Sequence, residues 1–238
     1  MLSTEQTLTR VLQIAALLPE ADAHWYTYLK EHPEDKGAKK LNVLGTQVFL
    51  LENALRDALT EQAAAKSGVL TPFTAARRIC KSAMDTQWSR PAYQGAYMDA
   101  EGKQCVCDGY RTFRLNTPFV LHQAPDGERT NLDQVIAPTR KNSVPLTLPT
   151  VAAVKAAIKA DRAAWKAKKP MRNQTFHAYY DFGPGLPRVN AYYLLDFLYL
   201  FPENLQAFAS GEKPLLTPIY FKSTAGEGIL CPARKMEI

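Results

Sequence analysis

Pro187-Arg188-Val189-Asn190-Ala191-Tyr192-Tyr193-Leu194-Leu195-Asp196 opens the stretch whose reading decides the fold, and Gly228-Ile229-Leu230-Cys231-Pro232-Ala233-Arg234 closes it. Asn190 suits a helix cap, because its side-chain oxygen accepts a free amide hydrogen of the first turn. A helix is predicted over residues 191–201, apolar nearly all round and therefore destined for burial. Its aromatic run, Tyr192, Tyr193, Phe197, Tyr199 and Phe201, reads as core packing. A strand is expected over 205–209, followed by a hairpin of 217–222 and 228–231 that turns at Thr224-Ala225-Gly226-Glu227.

Further upstream the same order occurs. Thr71-Pro72 is a helix start, with a capping hydroxyl and a proline suited to the first turn. The helix continues through Phe73, Ala76, Ile79, Cys80 and Ala83, with Arg77, Arg78 and Lys81 on its other side. Strands are predicted at 104–107 and 110–115, joined through Asp108-Gly109. Residues 116–143 are rich in turn formers and are expected to form a long loop. Between the two helix-then-strand units, residues 150–169 form a basic helix, and 174–182 alternates as a strand does.

Two of these stretches carry a family resemblance. Val189-Asn190-Ala191-Tyr192-Tyr193-Leu194-Leu195-Asp196 with the closing Pro232-Ala233-Arg234 resembles the last domain of bacterial DNA polymerase sliding clamps, and Cys107-Asp108-Gly109-Tyr110-Arg111 is similar to their Thr-Asp-Gly-His-Arg strand turn. The resemblance implies two helix-and-strand units in one sheet with helices facing DNA. It also implies a pocket for short hydrophobic peptide motifs of replication or repair proteins. Carried over, that pocket takes Gly109, Tyr110 and Arg111, with Ile229, Cys231 and Pro232 opposite. Tyr110 stands where clamps have histidine, and Cys231 where they have methionine.

Residues 1–67 have no counterpart in that family and read as a helical section. Leu8, Val11, Leu12, Ala15 and Leu18 recur at helical spacing, Pro19 ends that run, residues 32–40 form a polar loop, and a second helix follows Thr46. Residues 68–238 are expected to form the clamp-like body, either as one domain with 150–169 as an inserted helix or as one and a half domains. The expected class is α+β. At 238 residues with 46% hydrophobic content, the chain is long enough to bury a core.

The net charge is +6, and it is concentrated. Residues 150–174 hold seven basic residues and one acid, Asp161, so that segment alone accounts for it. Lys155, Lys159, Arg162 and Lys166 follow one another at four, three and four residues and share a helix face; Val154, Ile158 and Trp165 lie on another. Such a row suits a phosphate backbone or a solvated surface. With the resemblance it implies sequence-independent DNA contact, extended by Arg77, Arg78 and Lys81. No helix-turn-helix or zinc-finger pattern predicts base reading.

Cys80, Cys105, Cys107 and Cys231 contain no Cys-x-x-Cys, and the four histidines stand at no ligand-like spacing from them. Buried free thiols in a reducing compartment are expected, with no metal and no cofactor. Neither a nucleophile motif nor a phosphate loop occurs, so no enzyme is predicted. There is no membrane span and no secretory signal, which points to the cytoplasm. The expectation is a non-catalytic, clamp-like replication or repair factor that binds DNA, tethers a partner, or both, as a homo-oligomer or a single chain. The alternative is a protein-interaction module without DNA binding.

Overall fold

The computed structural model describes residues 2–18, 23–85, 93–127, 129, 131–140, 143–169 and 174–233; Pro19, Ala92, Arg172 and Arg234 lie outside them. Contacts divide the chain into two compact units, Met1–Leu70 and Thr71–Ile238.

The first unit is helical: α1 (Thr4–Ala15), α2 (Ala23–Glu31) and α3 (Lys36–Lys66). Ser3 caps α1 in a reciprocal box, its hydroxyl accepting from the Gln6 amide while the Gln6 side chain accepts from the Ser3 amide. The Asp35 carboxylate caps α3 by accepting from the Ala38 amide at 2.9 Å. This helix starts ten residues before the expected position after Thr46. The Lys/Ala run read as loop is a good helix former once Asp35 caps it. Gln62 donates to Thr4 at 3.4 Å and the Trp25 indole donates to Asn42 at 3.2 Å, so α1 and α2 lie back along α3.

The second unit runs α4 (Leu70–Asp85), β1 (Ala96–Met98), β2 (Gln104–Cys107), β3 (Arg111–Leu115), α5 (Leu132–Arg140), β4 (Ser143–Leu146), α6 (Val151–Ala167), β5 (Tyr179–Asp181), β6 (Arg188–Asn190), α7 (Ala191–Leu200), β7 (Gln206–Ser210), β8 (Ile219–Lys222) and β9 (Gly226–Leu230). The main sheet is antiparallel, in the order β1-β2-β3-β9-β8-β7-β4, and β5–β6 pair separately. A helix followed by three strands thus occurs twice, as α4-β1-β2-β3 and α7-β7-β8-β9. The last strands of the two units pair, with Phe113 opposite Gly228. The architecture is α+β, as the sequence predicts.

Strand alternation sends Phe113, Phe221, Ile219 and Leu230 to one face, all buried, where α7 lies on them. The Phe197 ring stands 4.7 Å from that of Phe221. A Cβ at Gly228 would come within 2.6 Å of both Phe197 and the Thr112 carbonyl, so only glycine admits α7 this close. α6 packs beside α7 through Val154 and Ile158. The opposite face carries a second core of Tyr97, Cys105, Tyr220 and Ile229, covered by Leu132 and Ile136 of α5.

That cover corrects two expectations: residues 116–143 include a helix, and the helices do not share one layer. α5 has nine residues, with Pro138 inside it, which hides its periodicity. The strand expected over 174–182 shrinks to β5 because its apolar residues pack locally: Phe176 lies against Trp165. At the sheet's ends, β4 carries Pro145, and β1 is bordered by residues 122–124. There the Ala96 amide donates to the His122 carbonyl at 2.7 Å, and the Ala124 amide donates to the Ala96 carbonyl at 2.8 Å. No helix among the described residues is long and apolar enough to cross a membrane.

Candidate nucleic-acid interface

Thr150 caps α6, its hydroxyl accepting from the Ala153 amide at 3.1 Å. Burial of Val154 and Ile158 against α7 fixes the helix's rotation, leaving Lys155, Lys159, Arg162 and Lys166 all exposed on the outer side. Over eleven residues the row spans roughly 16 Å. Among the described residues, none of these four side chains is ion-paired with a carboxylate. Asp161, the acid between them, is turned away and accepts from the Tyr179 amide at 3.1 Å.

α7 joins this row to α4. Tyr192 and Tyr199 are seven residues apart and therefore lie on one stripe of the helix. The Arg162 guanidinium donates to the Tyr192 hydroxyl at 2.7 Å. Lys155 Nζ lies 5.5 Å from the Tyr199 ring centroid, and the Arg78 guanidinium approaches the same ring at 5.8 Å. Of the α4 residues predicted for this face, Arg78 and Lys81 are exposed and Arg77 is half-buried. The tyrosines expected in the core therefore mark the outer stripe of α7, while Phe197 and Phe201 are fully buried. A tyrosine ring is amphipathic and can serve either place, which periodicity alone does not resolve.

Arg78 is also held in a buried network. Its Nε donates to Asp196 Oδ1 at 2.8 Å. The other oxygen of Asp196 accepts from Arg111, whose Nε donates to Asp108 Oδ2 at 2.7 Å. Asp108 Oδ1 accepts from the Tyr110 and Arg111 amides, closing the turn in which Gly109 takes a φ of +86°. The Tyr193 ring covers the Arg111 guanidinium at 4.1 Å. The Asp-Gly-Tyr-Arg turn and the Tyr-Tyr-Leu-Leu-Asp helix, the two stretches that carry the clamp resemblance, are thus each other's partners in space.

The expected peptide pocket is rebuilt by this arrangement. Its two walls do meet, since the Cys231 amide donates to the Tyr110 carbonyl at 2.8 Å. Gly109 and Tyr110 are exposed, Cys231 and Pro232 half-buried. Arg111, expected at a rim, is only 4% exposed because it neutralises Asp108 and Asp196, and Ile229 belongs to the core under α5. An apolar groove of about 720 Å³ lies nearby instead, between the β5–β6 turn and Leu215-Leu216, with Arg188 and Ala233 at its border.

On the α5 face an open polar cavity of about 690 Å³ is lined by Lys103, Arg114, Arg140, Tyr220, Lys222 and Glu227, among others. Arg114 donates to Asp133 at 2.9 Å and also to Glu227; Asp99 lies at 3.4 Å. Burial opposes ionisation of Glu227, but hydrogen bonds from Tyr220, Arg114 and Arg140 outweigh it and hold the carboxyl at about 2. Burial beside Asp99 pushes the Cys105 thiol up to about 12, so that thiol stays protonated and unreactive. The sequence offered no signal for this cluster, whose members span residues 99–227. No protein-family model, curated protein or solved structure matches this chain.

Proposed function

We propose that the chain is a non-catalytic, clamp-like factor of DNA replication or repair that binds duplex without reading its sequence, in the cytoplasm. The observation that carries this is the continuous outer surface of α6, α7 and α4. There, four basic side chains are exposed and without carboxylate partners among the described residues, and two of them, Lys155 and Arg162, meet Tyr199 and Tyr192, with Arg78 against the same Tyr199 ring. Cations held on tyrosine rings present fixed positive charge to a phosphate backbone, and each contact releases a counterion. The resemblance to sliding clamps supports the choice of DNA over other polyanions.

Titration of fluorescent duplex tests it. If α6 makes four phosphate contacts, the slope of log affinity against log salt is about −3.6, so affinity falls about a hundredfold between 50 and 200 mM salt. Lys155→Glu/Lys159→Glu/Arg162→Glu/Lys166→Glu removes the binding. A wild-type protein that ignores duplex at 50 mM salt rules the reading out.

A second reading rests on the groove beside Leu215 and Leu216, exposed at 54% and 67%. It would take a short apolar peptide of a replication or repair protein, with Arg188 at the rim. Leu216→Asp would then abolish capture of such a peptide and leave duplex binding intact.

A further inference from the structure

We propose that Asp196 is a positioning residue of the nucleic-acid face: it holds Arg78 so that the outer end of the guanidinium meets one phosphate in a fixed place, while the cations of α6 adjust around it. This rests on the duplex reading above. Tyr192, Asp196 and Tyr199 follow one another at four and three residues and therefore share one side of α7. Each meets a cation from a neighbouring helix: Arg162 at Tyr192, Arg78 at Asp196, and both Lys155 and Arg78 at Tyr199.

Arg78 is held differently from the rest. Its Nε and Nη2 stand 2.8 and 2.7 Å from Asp196 Oδ1, and its side chain is still 52% exposed. Among the described residues nothing pairs with its Nη1. Asp196 is itself fixed, being buried in α7 with its second oxygen accepting from Arg111. Arg111 also neutralises the buried Asp108. Two buried carboxylates thus share one buried guanidinium, and Arg78 supplies the second positive charge. The set is neutral as a whole but polar, with its acids inside and the end of the Arg78 fork outside. A planar guanidinium can face a carboxylate along one edge and a phosphate along another, whereas an ammonium has no such fork. Lys155, Lys159, Arg162 and Lys166 have no carboxylate to hold them among the described residues. Each loses side-chain freedom on meeting a phosphate; Arg78 has lost it beforehand.

Titration of fluorescent duplex, with urea unfolding to establish that each variant is folded, separates position from charge. Asp196→Asn makes the protein more positive and leaves Asp108 and Arg111 paired with each other. If Arg78 acted by charge alone, that change would strengthen binding. It should instead weaken binding about fivefold, because Arg78 loses the carboxylate that holds it. Arg78→Lys keeps the charge and should weaken binding about tenfold. As a change on an exposed side chain that leaves Asp196 a cation, it decides the matter even if Asp196→Asn does not fold. The double variant, Asp196→Asn/Arg78→Lys, should bind no more weakly than Arg78→Lys, since the holder matters only while there is an arginine to hold. Asp196→Asn at wild-type affinity or tighter overturns the proposal, as do Arg78→Lys at wild-type affinity and losses that add in the double variant. A wild type that ignores duplex at 50 mM salt removes the duplex reading itself, and this inference with it.

Discussion

Arg111 and Arg114 stand three residues apart on β3 and point to opposite faces of the sheet, each about 5% exposed or less. Arg111 is enclosed. Its carboxylate partners, Asp108 and Asp196, have side chains exposed by 0% and 11%, and the Tyr193 ring caps it. Arg114 is buried too, but its partner Asp133 is 55% exposed and the cluster lines an open cavity. The same residue on the same strand therefore closes one face as a fixed cross-link and leaves the other as a wetted network. What separates them is the covering helix: α7 is apolar but for Asp196 and sits flush on glycine, whereas α5 has a proline inside and buries only Leu132, Ile136 and Thr139.

The largest expected effect tests the enclosed side. Arg111→Met leaves Asp108 buried without its cation and Asp196 with Arg78 alone, and should cost about 3–5 kcal/mol in urea unfolding. If Arg114→Met cost as much, the contrast between the faces would fail. Gly228→Ala forces Phe197 or the β3 backbone to move, and should cost about 2–3 kcal/mol by the same measurement.

On the wetted side the expected effect is smaller and depends on pH. The Glu227 carboxyl ionises at about 2 rather than 4.5. Its contribution is therefore complete above pH 4.5 and is lost as pH falls towards 2. We expect about 2 kcal/mol to disappear over that window, after allowance for solvent screening in the open cavity. Glu227→Gln should flatten the dependence of the urea midpoint on pH; superimposable profiles for the two proteins would remove the network from the account. Smallest of all, Arg140→Ala deletes a guanidinium whose side chain is 43% exposed, and should lower the unfolding free energy by less than about 1 kcal/mol.

The enclosed face is also the one that could be read from the sequence. Asn190 announces α7, a nearly all-apolar run announces its burial, and alternation with turn residues announces β2, β3, β8 and β9. All of these are local signals. The partner of Arg111 is not: Asp196 lies 85 residues further along, and no spacing rule links them. α5 escaped because two apolar anchors, Leu132 and Ile136, are too few to set a period in a segment full of turn formers. Lys155, Lys159, Arg162 and Lys166 were legible as a helix face, since four-three-four spacing depends only on helical geometry. Their extension by Arg78 was expected only from the family resemblance, and the tyrosines that link it to the row were placed inside. The start of α3 was missed for another reason, because charged residues form helices as readily as loops when a cap precedes them.

Both ends of the seven-stranded sheet carry a further consequence. An open β edge is a template, and chains with bare edges recruit one another strand by strand into ribbons and fibres. Pro145 removes one main-chain donor from β4, and residues 122–124 already occupy the main-chain groups of Ala96 on β1. Each margin of the sheet is thus interrupted at one residue. This protein should stay in solution at concentrations where a seven-stranded sheet with bare margins would polymerise, and any companion must approach it through side chains rather than by extending its backbone ladder.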